Sequence, residues 1–436
     1  MKVFFDTVGC RLNQAEIEQM AGQLRQEGHQ ILGSSEGADL VVVNSCAVTA
    51  AAASDSRQKV HQAHTKGVST IILTGCWATL YPEQGADLEG VNQVVSNLEK
   101  MEIPLRFINV DDRLMEVEPI ARQPLPGAHK RTRAFIKVQD GCNNACTYCV
   151  TRLARGRGIS LEKGEILTTV NQAVLGGTKE VVLTGVNLGS WGQDLGGGER
   201  LVDLIKYLLD QSTIERIRLS SIEPWNLEDS FFKLWKDSRL CPHFHLPLQS
   251  GSAGGLRRMA RNTTPEKYSN LVKTARSMIP GVAITTDVIV GFPGETDKEF
   301  EENLEFIREI GFSGGHVFKY SLREGTLAAK MPDKIPGTVA RERARQVRAV
   351  LEQSEKEFMD QQIGEFRHVL WETARKTQNG EWMLKGLSEN YARIQAPSNS
   401  KKWNEIDAVK VNSHSGDVLT GQILAEINQI GSTPRE

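Results

Sequence analysis

Three cysteines stand in one short run, Asp140-Gly141-Cys142-Asn143-Asn144-Ala145-Cys146-Thr147-Tyr148-Cys149, just after an apolar stretch over residues 134–138. No other feature constrains the chain as much, because it demands a strand that ends in a ligand-wrapping loop. Three thiolates at this C-x3-C-x2-C spacing can hold three irons of a cubane cluster and leave the fourth iron without a protein ligand. An open iron can bind a small molecule. The alternative is a structural zinc, but zinc usually takes four closed ligands, and no fourth Cys or His lies close by in the sequence.

Cys10, Cys46 and Cys76 form a second, dispersed set, each placed just beyond a segment that reads as a strand, at residues 3–7, 39–44 and 70–74. In an open parallel sheet the carboxyl ends of the strands line the crevice where ligands bind, so all three thiols are expected on one edge, as a second three-thiolate site. Taken singly, each reads as a small buried apolar residue. The seventh cysteine, Cys241, belongs to neither set and is expected to pack near a loop.

Helical patterning over residues 13–26 and 54–64 alternates with these strands, the rhythm of an α/β domain with an open parallel sheet, spanning 1–125. Pro119, Pro124, Pro126 and Gly127, followed by His129, Lys130, Arg131, Thr132 and Arg133, carry turn chemistry without apolar periodicity and read as a linker. Six strand-like segments follow, at 134–138, 180–183, 216–220, 244–248, 283–290 and 315–320, with helical stretches between them. They imply a partial (β/α)6 barrel over 133–362, closed by a charged helix at 339–361. After Gly364, short strands at 368–372, 381–384, 392–395, 408–411 and from 416 onward imply a small antiparallel β-barrel over 364–428.

At 436 residues, with 39% apolar and 24% charged content, the chain suits two or three soluble domains. No apolar run approaches the roughly 20 residues needed to cross a bilayer. The opening apolar stretch is too short for a signal peptide. A cytoplasmic protein with no membrane role is expected, and disulfides are not expected in that reducing compartment. A formal net charge of -2 excludes indiscriminate coating of nucleic acid, so any RNA contact must be local. The local candidates are Lys130, Arg131 and Arg133; Arg152, Arg155 and Arg157; Arg257, Arg258 and Arg261; and Lys401, Lys402 and Trp403. Such clusters are usually solvated faces. Arg155 and Arg157 are favoured because they follow the cysteine loop, and Lys401, Lys402 and Trp403 offer phosphate contacts and a stacking surface.

The cysteine loop is similar to that of the radical S-adenosylmethionine superfamily, and with the second triplet the chain resembles the methylthiotransferases over nearly its whole length. Matching segments are Thr184-Gly185-Val186-Asn187-Leu188-Gly189, Ser220-Ser221-Ile222-Glu223-Pro224, His245-Leu246-Pro247-Leu248-Gln249-Ser250-Gly251-Ser252, Asp287-Val288-Ile289-Val290-Gly291-Phe292-Pro293-Gly294-Glu295-Thr296 and Tyr320-Ser321-Leu322-Arg323-Glu324-Gly325-Thr326. Gly386-Leu387-Ser388-Glu389-Asn390-Tyr391 resembles the TRAM fold, an RNA-binding barrel. Thr7-Val8-Gly9-Cys10-Arg11-Leu12-Asn13 and Asn187-Leu188-Gly189-Ser190-Trp191-Gly192 are similar to the branch that modifies N6-threonylcarbamoyladenosine beside the anticodon. The isopentenyladenosine branch tends to read Tyr-Gly-Cys-Gln-Met-Asn at the first position, and the branch acting on a ribosomal protein aspartate Leu-Gly-Cys-Pro-Lys-Asn. The chain departs from the family at Val150-Thr151-Arg152-Leu153, where many members have Ile-Pro, and at Gly158 and Ala253, where Ser and Asp are usual.

The resemblance implies two [4Fe-4S] clusters and S-adenosyl-L-methionine, with all six cysteines metal-binding and catalytic. It assigns radical formation to Cys142, Cys146 and Cys149, and the sulfur to be transferred to Cys10, Cys46 and Cys76. The radical is needed because carbon 2 of adenine is too inert for acid-base chemistry. The implied partners are tRNA, a reducing protein as electron donor and a sulfur donor; a monomer is expected. Glycine-rich turns at 184–189 and 291–295 allow close backbone approach to a ligand. The cofactor is expected at Thr184, Gly185 and Asn187, with Gln249 and Ser250 toward its ribose, Tyr148 beside its adenine and Gly291 in the second turn. Ordinary strand-end turns would look the same. No general base is assigned. Alternative targets are isopentenyladenosine in tRNA or a ribosomal protein aspartate; the alternative of another class is a non-catalytic iron-sulfur protein for RNA binding or electron transfer.

Overall fold

Leu40-Val41-Val42-Val43 is apolar without alternation, the pattern of a strand buried on both faces of a parallel sheet. The computed structural model describes residues 1–107 and 132–424. The expected linker residues Pro119, Pro124, Pro126, Gly127, His129, Lys130 and Arg131 lie outside the described residues, as does the expected domain end at 428. The chain divides into two compact units, Met1–Thr213 with Arg323–Thr326, and Ile214–Leu322 with Leu327–Glu436.

In the first unit β1 (Lys2–Thr7), β2 (Gln30–Ile31), β3 (Leu40–Ser45), β4 (Thr70–Gly75) and β5 (Gln93–Val94) form a parallel sheet in the order β2-β1-β3-β4-β5. Helix α1 (Arg11–Gln26) covers one face, packing Ile17, Met20 and Leu24 with Val3, Phe5 and Val42. Helix α2 (Ala50–Thr65) covers the other, packing Val60 and Ala63 with Val41, Val43 and Ile71. The short helices α3 (Cys76–Leu80) and α4 (Pro82–Ala86) follow β4. The expected strands and helices are present. The two-residue strands at Gln30–Ile31 and Gln93–Val94 were not expected, because so short an element has no periodicity to read.

The same unit holds β6 (Arg133–Lys137), paired in parallel with β9 (Glu180–Thr184), and a small antiparallel pair of β7 (Gln139–Asp140) with β8 (Ile159–Ser160). That pair closes the base of the cysteine loop. Helices α5 (Thr151–Arg155), α6 (Lys163–Leu175) and α7 (Leu201–Gln211) complete it.

The second unit begins with β10 (Arg216–Leu219) and α8 (Asp229–Phe232), and its strands β11 (His243–His245), β12 (Ala283–Val290) and β13 (Gly314–Lys319) pair in parallel. Helices α9 (Ala253–Arg258), α10 (Pro265–Met278), α11 (Asp297–Ile310) and α12 (Gly337–Asp360) accompany them. The strand expected at 244–248 stops at His245. Pro247 has no N–H to donate and Gln249 takes a left-handed φ of 69°, so the ladder ends early.

Strands β14 (Phe366–Lys376), β15 (Trp382–Ser388), β16 (Arg393–Ser398), β17 (Ile406–Ser415) and β18 (Val418–Ile423) close into a barrel in the order β14-β15-β16-β18-β17, filled by Val369, Trp371, Leu384, Ile394, Val409 and Leu419. Four of its pairings are antiparallel, as expected of the barrel, and β16 with β18 closes it in parallel. Within this unit Arg216 donates to His368 O at 2.6 Å and Arg218 to Glu389 O at 3.0 Å and Ser388 O at 3.1 Å. Tyr391 stacks on His243 at 4.2 Å. No helix among the described residues is long and apolar enough to cross a membrane.

Gly386 and Gly421 stand where barrel strands cross most closely; a Cβ on Gly421 would lie 2.5 Å from Lys410 O and 2.5 Å from Val409 Cγ1. Overpacking of this kind costs about 1–3 kcal/mol. Gly421→Ala is therefore expected to lower the unfolding free energy of the barrel by that amount, and its urea midpoint with it, read by the fluorescence of the buried Trp371.

Candidate active site

Cys10, Cys46 and Cys76 follow the carboxyl ends of the adjacent strands β1, β3 and β4. The backbone is turned for them by Gly9, at φ 103°, and Gly75, at φ 96°. Neither position accepts a side chain: a Cβ on Gly9 would lie 2.5 Å from Cys46 Sγ, and one on Gly75 would lie 2.5 Å from Ser45 N. Cys46 and Cys76 are buried and Cys10 is exposed. Burial pushes the Cys46 thiol up to about 11, the Val48 amide opposes this, and Cys10 and Cys76 are close enough to add to the rise.

A buried charged network lies against this edge. Arg155, on α5 just after the cysteine loop, donates through Nε to Cys76 Sγ at 3.3 Å, through Nη1 to Glu16 Oε1 and Asp140 Oδ1 at 2.9 Å each, and through Nη2 to Asn13 Oδ1 at 2.7 Å. Lys100 Nζ pairs with Glu16 Oε2 and donates to Asn97 Oδ1 at 2.7 Å. Lys137 lies 3.5 Å from Glu16 and 3.1 Å from Asp140. Burial alone would raise the Glu16 carboxyl, but Arg155, then Lys100 and Lys137, outweigh it and hold it well below the usual carboxylate range. A buried carboxylate is tolerated only when paired in this way.

Arg155 is therefore not an RNA contact. It is 5% exposed and spends its donors on Glu16, Asp140, Asn13 and Cys76. Its position after the cysteine loop suggested a surface role; the carboxylate that claims it lies 139 residues away in sequence, out of reach of any local pattern. Glu16, Lys100, Asn97 and Gln139 were missed for the same reason. The one legible signal is Asn13 and Glu16, one helical turn apart just after Cys10.

The cysteine loop is held at its base. Cys142 N–H donates to Gly156 O at 3.2 Å, and Gly141, at φ 64°, packs so tightly on Arg157 O that only glycine fits. The amides of Asn144 and Thr151 donate to the sulfurs of Cys142 and Cys149, each at 3.4 Å. Gln139 donates to Asp140 O and Gly141 O and accepts the Asn187 amide at 2.8 Å. It thereby ties the loop to the Thr184-Gly185-Val186-Asn187 turn, where a Cβ on Gly185 would lie 3.0 Å from Gln139. Tyr148 is half-buried. The buried Thr184 Oγ1 has no hydrogen-bond partner among the described residues.

In the second unit Gln249 exchanges backbone hydrogen bonds with Asp287 and Ile289, Ser250 is buried and accepts the Ser252 amide, and the Gly291 amide donates to Glu295 at 2.8 Å. Arg258 pairs with Glu299, and the buried Arg261 forks onto Glu223. Arg152, Arg157, Arg257 and Lys401 are exposed. Lys402 is not exposed in that way, because both Asp407 oxygens hold it at 2.9 Å. Cys241 is buried beside Trp235, which donates to its carbonyl.

Among the described residues, no group of three or more His, Cys, Asp or Glu converges as a single metal ion's cage. Cluster thiolates each bind a different iron, so they stand apart. The residues fit such a group: two three-thiol sets, amide donors aimed at sulfur, and a cation network beside Cys76. The open hydroxyl of Thr184 and the tight Gly185 turn fit a small polar cofactor.

Comparison with known proteins places the chain among the radical SAM enzymes. A profile of the Radical SAM superfamily matches residues 136–307, and one of the Uncharacterized protein family UPF0004 matches residues 2–96. The radical S-adenosylmethionine methyltransferase TsrM from Kitasatospora setae has a similar fold, with a TM-score of 0.56, 13% identity and 75% of each chain covered. Over 424 residues the chain is 34% identical to the Bacillus subtilis threonylcarbamoyladenosine tRNA methylthiotransferase MtaB, covering 94% of this chain and 93% of that one. It is 36% identical to the Thermotoga maritima protein of the same name, covering 97% and 99%. It is 31% identical to the tRNA-2-methylthio-N(6)-dimethylallyladenosine synthase of Caldicellulosiruptor saccharolyticus, covering 96% and 91%. The chain belongs to the tRNA methylthiotransferase family of radical SAM enzymes, and so uses a [4Fe-4S] cluster and S-adenosyl-L-methionine.

Glu16 supplies a test of the network. Its depressed carboxyl stabilises the fold fully above the unfolded value of about 4.3, and that contribution is lost as pH falls through the lower folded value. Glu16→Gln is expected to cost about 3–5 kcal/mol at pH 7, since it strands Arg155 and Lys100. In urea unfolding the gap to wild type should narrow steadily below about pH 4.

Proposed function

We propose that this enzyme adds a methylthio group to carbon 2 of N6-threonylcarbamoyladenosine beside the anticodon of tRNA. One observation carries the reading of the reaction: two cysteine trios occur in one compact unit, and Arg155 bridges from the helix after one trio to a thiol of the other. The substrate rests on relatives. Four relatives named for threonylcarbamoyladenosine are 34 to 38% identical to this chain, and four named for dimethylallyladenosine 30 to 31%.

In this reading Cys142, Cys146 and Cys149 ligate one [4Fe-4S] cluster, and Cys10, Cys46 and Cys76 a second. Bound there, the first with S-adenosylmethionine supplies a 5′-deoxyadenosyl radical, and the second the sulfur to be transferred. Thr184, Gly185, Asn187 and Tyr148 hold the cofactor. Gln249, Ser250 and Gly291 contribute through their strand-end turns. Arg157 and Lys401 meet RNA phosphates, with Trp382 beneath Lys401 at 5.8 Å as a stacking surface. The domain division is 1–125, 133–362 and 364–428. A monomer working in the cytoplasm, with a reducing protein and a sulfur donor as partners, completes the reading.

Iron and sulfide counts on reconstituted Cys10→Ala and Cys142→Ala proteins test it. Each change is expected to remove about one cluster's worth of iron and abolish methylthiolation, while only Cys142→Ala stops 5′-deoxyadenosine formation. Equal iron in Cys10→Ala and wild type would refute the second cluster. Nucleoside analysis of tRNA from a deletion strain tests the substrate: methylthio-threonylcarbamoyladenosine should vanish and methylthio-isopentenyladenosine remain.

A further inference from the structure

We propose that Arg155 is a positioning residue that raises the reduction potential of the cluster on Cys10, Cys46 and Cys76, by donating Nε–H to Cys76 Sγ from a buried network carrying one excess positive charge. The inference rests on the reading that those three cysteines hold a cluster, and adds what the surrounding protein does to it.

Charge balance is the first argument. Among the described residues, Arg155, Lys100 and Lys137 pair with the two carboxylates of Glu16 and Asp140, and the side chains of Arg155, Lys100 and Glu16 are at most 2% exposed. An excess charge so deeply buried is costly unless a counter-charge is near. A thiol carries no such charge; a thiolate does. A cubane cluster held by three thiolates is anionic, and the network reaches the cysteine edge at two sulfurs, through Arg155 Nε at Cys76 and through Asn13 Oδ1 at Cys10, 3.7 Å away.

Geometry is the second. A guanidinium is a rigid planar fork, so fixing its two terminal nitrogens fixes the third. Nη1 is held by Glu16 and Asp140, and Nη2 by Asn13 and Glu16, which leaves Nε aimed at Cys76 Sγ at 3.3 Å. Asn97 Nδ2 approaches the same sulfur at 3.6 Å. Hydrogen bonds to cluster sulfurs and nearby positive charge favour the more negative, reduced form, which raises the potential. Arg155 also follows directly on the loop of Cys142, Cys146 and Cys149. The residue that tunes one site is therefore covalently coupled to the position of the other.

The test uses the full-length chain with Cys142, Cys146 and Cys149 changed to Ala, so that only Cys10, Cys46 and Cys76 load a cluster, and follows the midpoint potential by electron paramagnetic resonance. Arg155→Met in that background should shift the midpoint to more negative potential, and Arg155→Lys should restore part of the shift. Pulsed resonance on the reduced cluster of the Arg155 protein, grown with arginine labelled with 15N in the guanidinium group alone, should show a 15N coupling in place of the 14N coupling of unlabelled protein, and Arg155→Lys should lose it. An unchanged midpoint in Arg155→Met, or no arginine coupling, overturns the inference while leaving the cluster reading intact. Failure of the Arg155 protein itself to bind iron overturns the cluster reading and this inference with it. If Arg155→Met does not fold, the 15N coupling alone decides.

Discussion

The contact between Glu16 and Arg155 holds together segments that nothing local would join. Glu16 is on the helix that follows Cys10, and Arg155 on the helix that follows Cys149, and both side chains are buried. Neither charge survives burial alone. Each needs the other, with Lys100, Lys137, Asp140 and Asn13 supplying the remaining pairs. A network of this kind is unforgiving, since removing one member leaves others uncompensated.

Both cysteine sets exploit the same rule, that the carboxyl ends of parallel strands present residues to a ligand. They do so differently. Cys10, Cys46 and Cys76 come from three neighbouring strands and are set by sheet order, with Gly9 and Gly75 turning the chain at close quarters. Cys142, Cys146 and Cys149 come from one loop, shaped by Gly141 against Arg157 and clamped by Gln139. The first set depends on a whole domain and the second on eight residues. Sequence spacing accordingly reveals the second at once and the first only through the strands that precede it.

The terminal barrel is secured by a different device. Arg216 and Arg218 donate to backbone carbonyls of the barrel, and Tyr391, held at φ 71°, lies flat on His243. Main-chain acceptors are present whatever the barrel's own side chains are. Those side chains are thereby left available for other contacts.

The strand segments, the long helix, the closing barrel and both cysteine sets were legible in the sequence, because periodicity, turn residues and ligand spacing are local properties. The early end of β11 was legible in principle from Pro247; the parallel pairing of β16 with β18 was not, since barrel closure joins strands by space and not by order. The sequence alone determined which atoms could bind metal. It could not say what surrounds them. That Arg155 is a buried partner of Cys76 and Glu16 was decided only by tertiary structure, because the pairing energy of a charge depends on desolvation and on partners brought from distant parts of the chain.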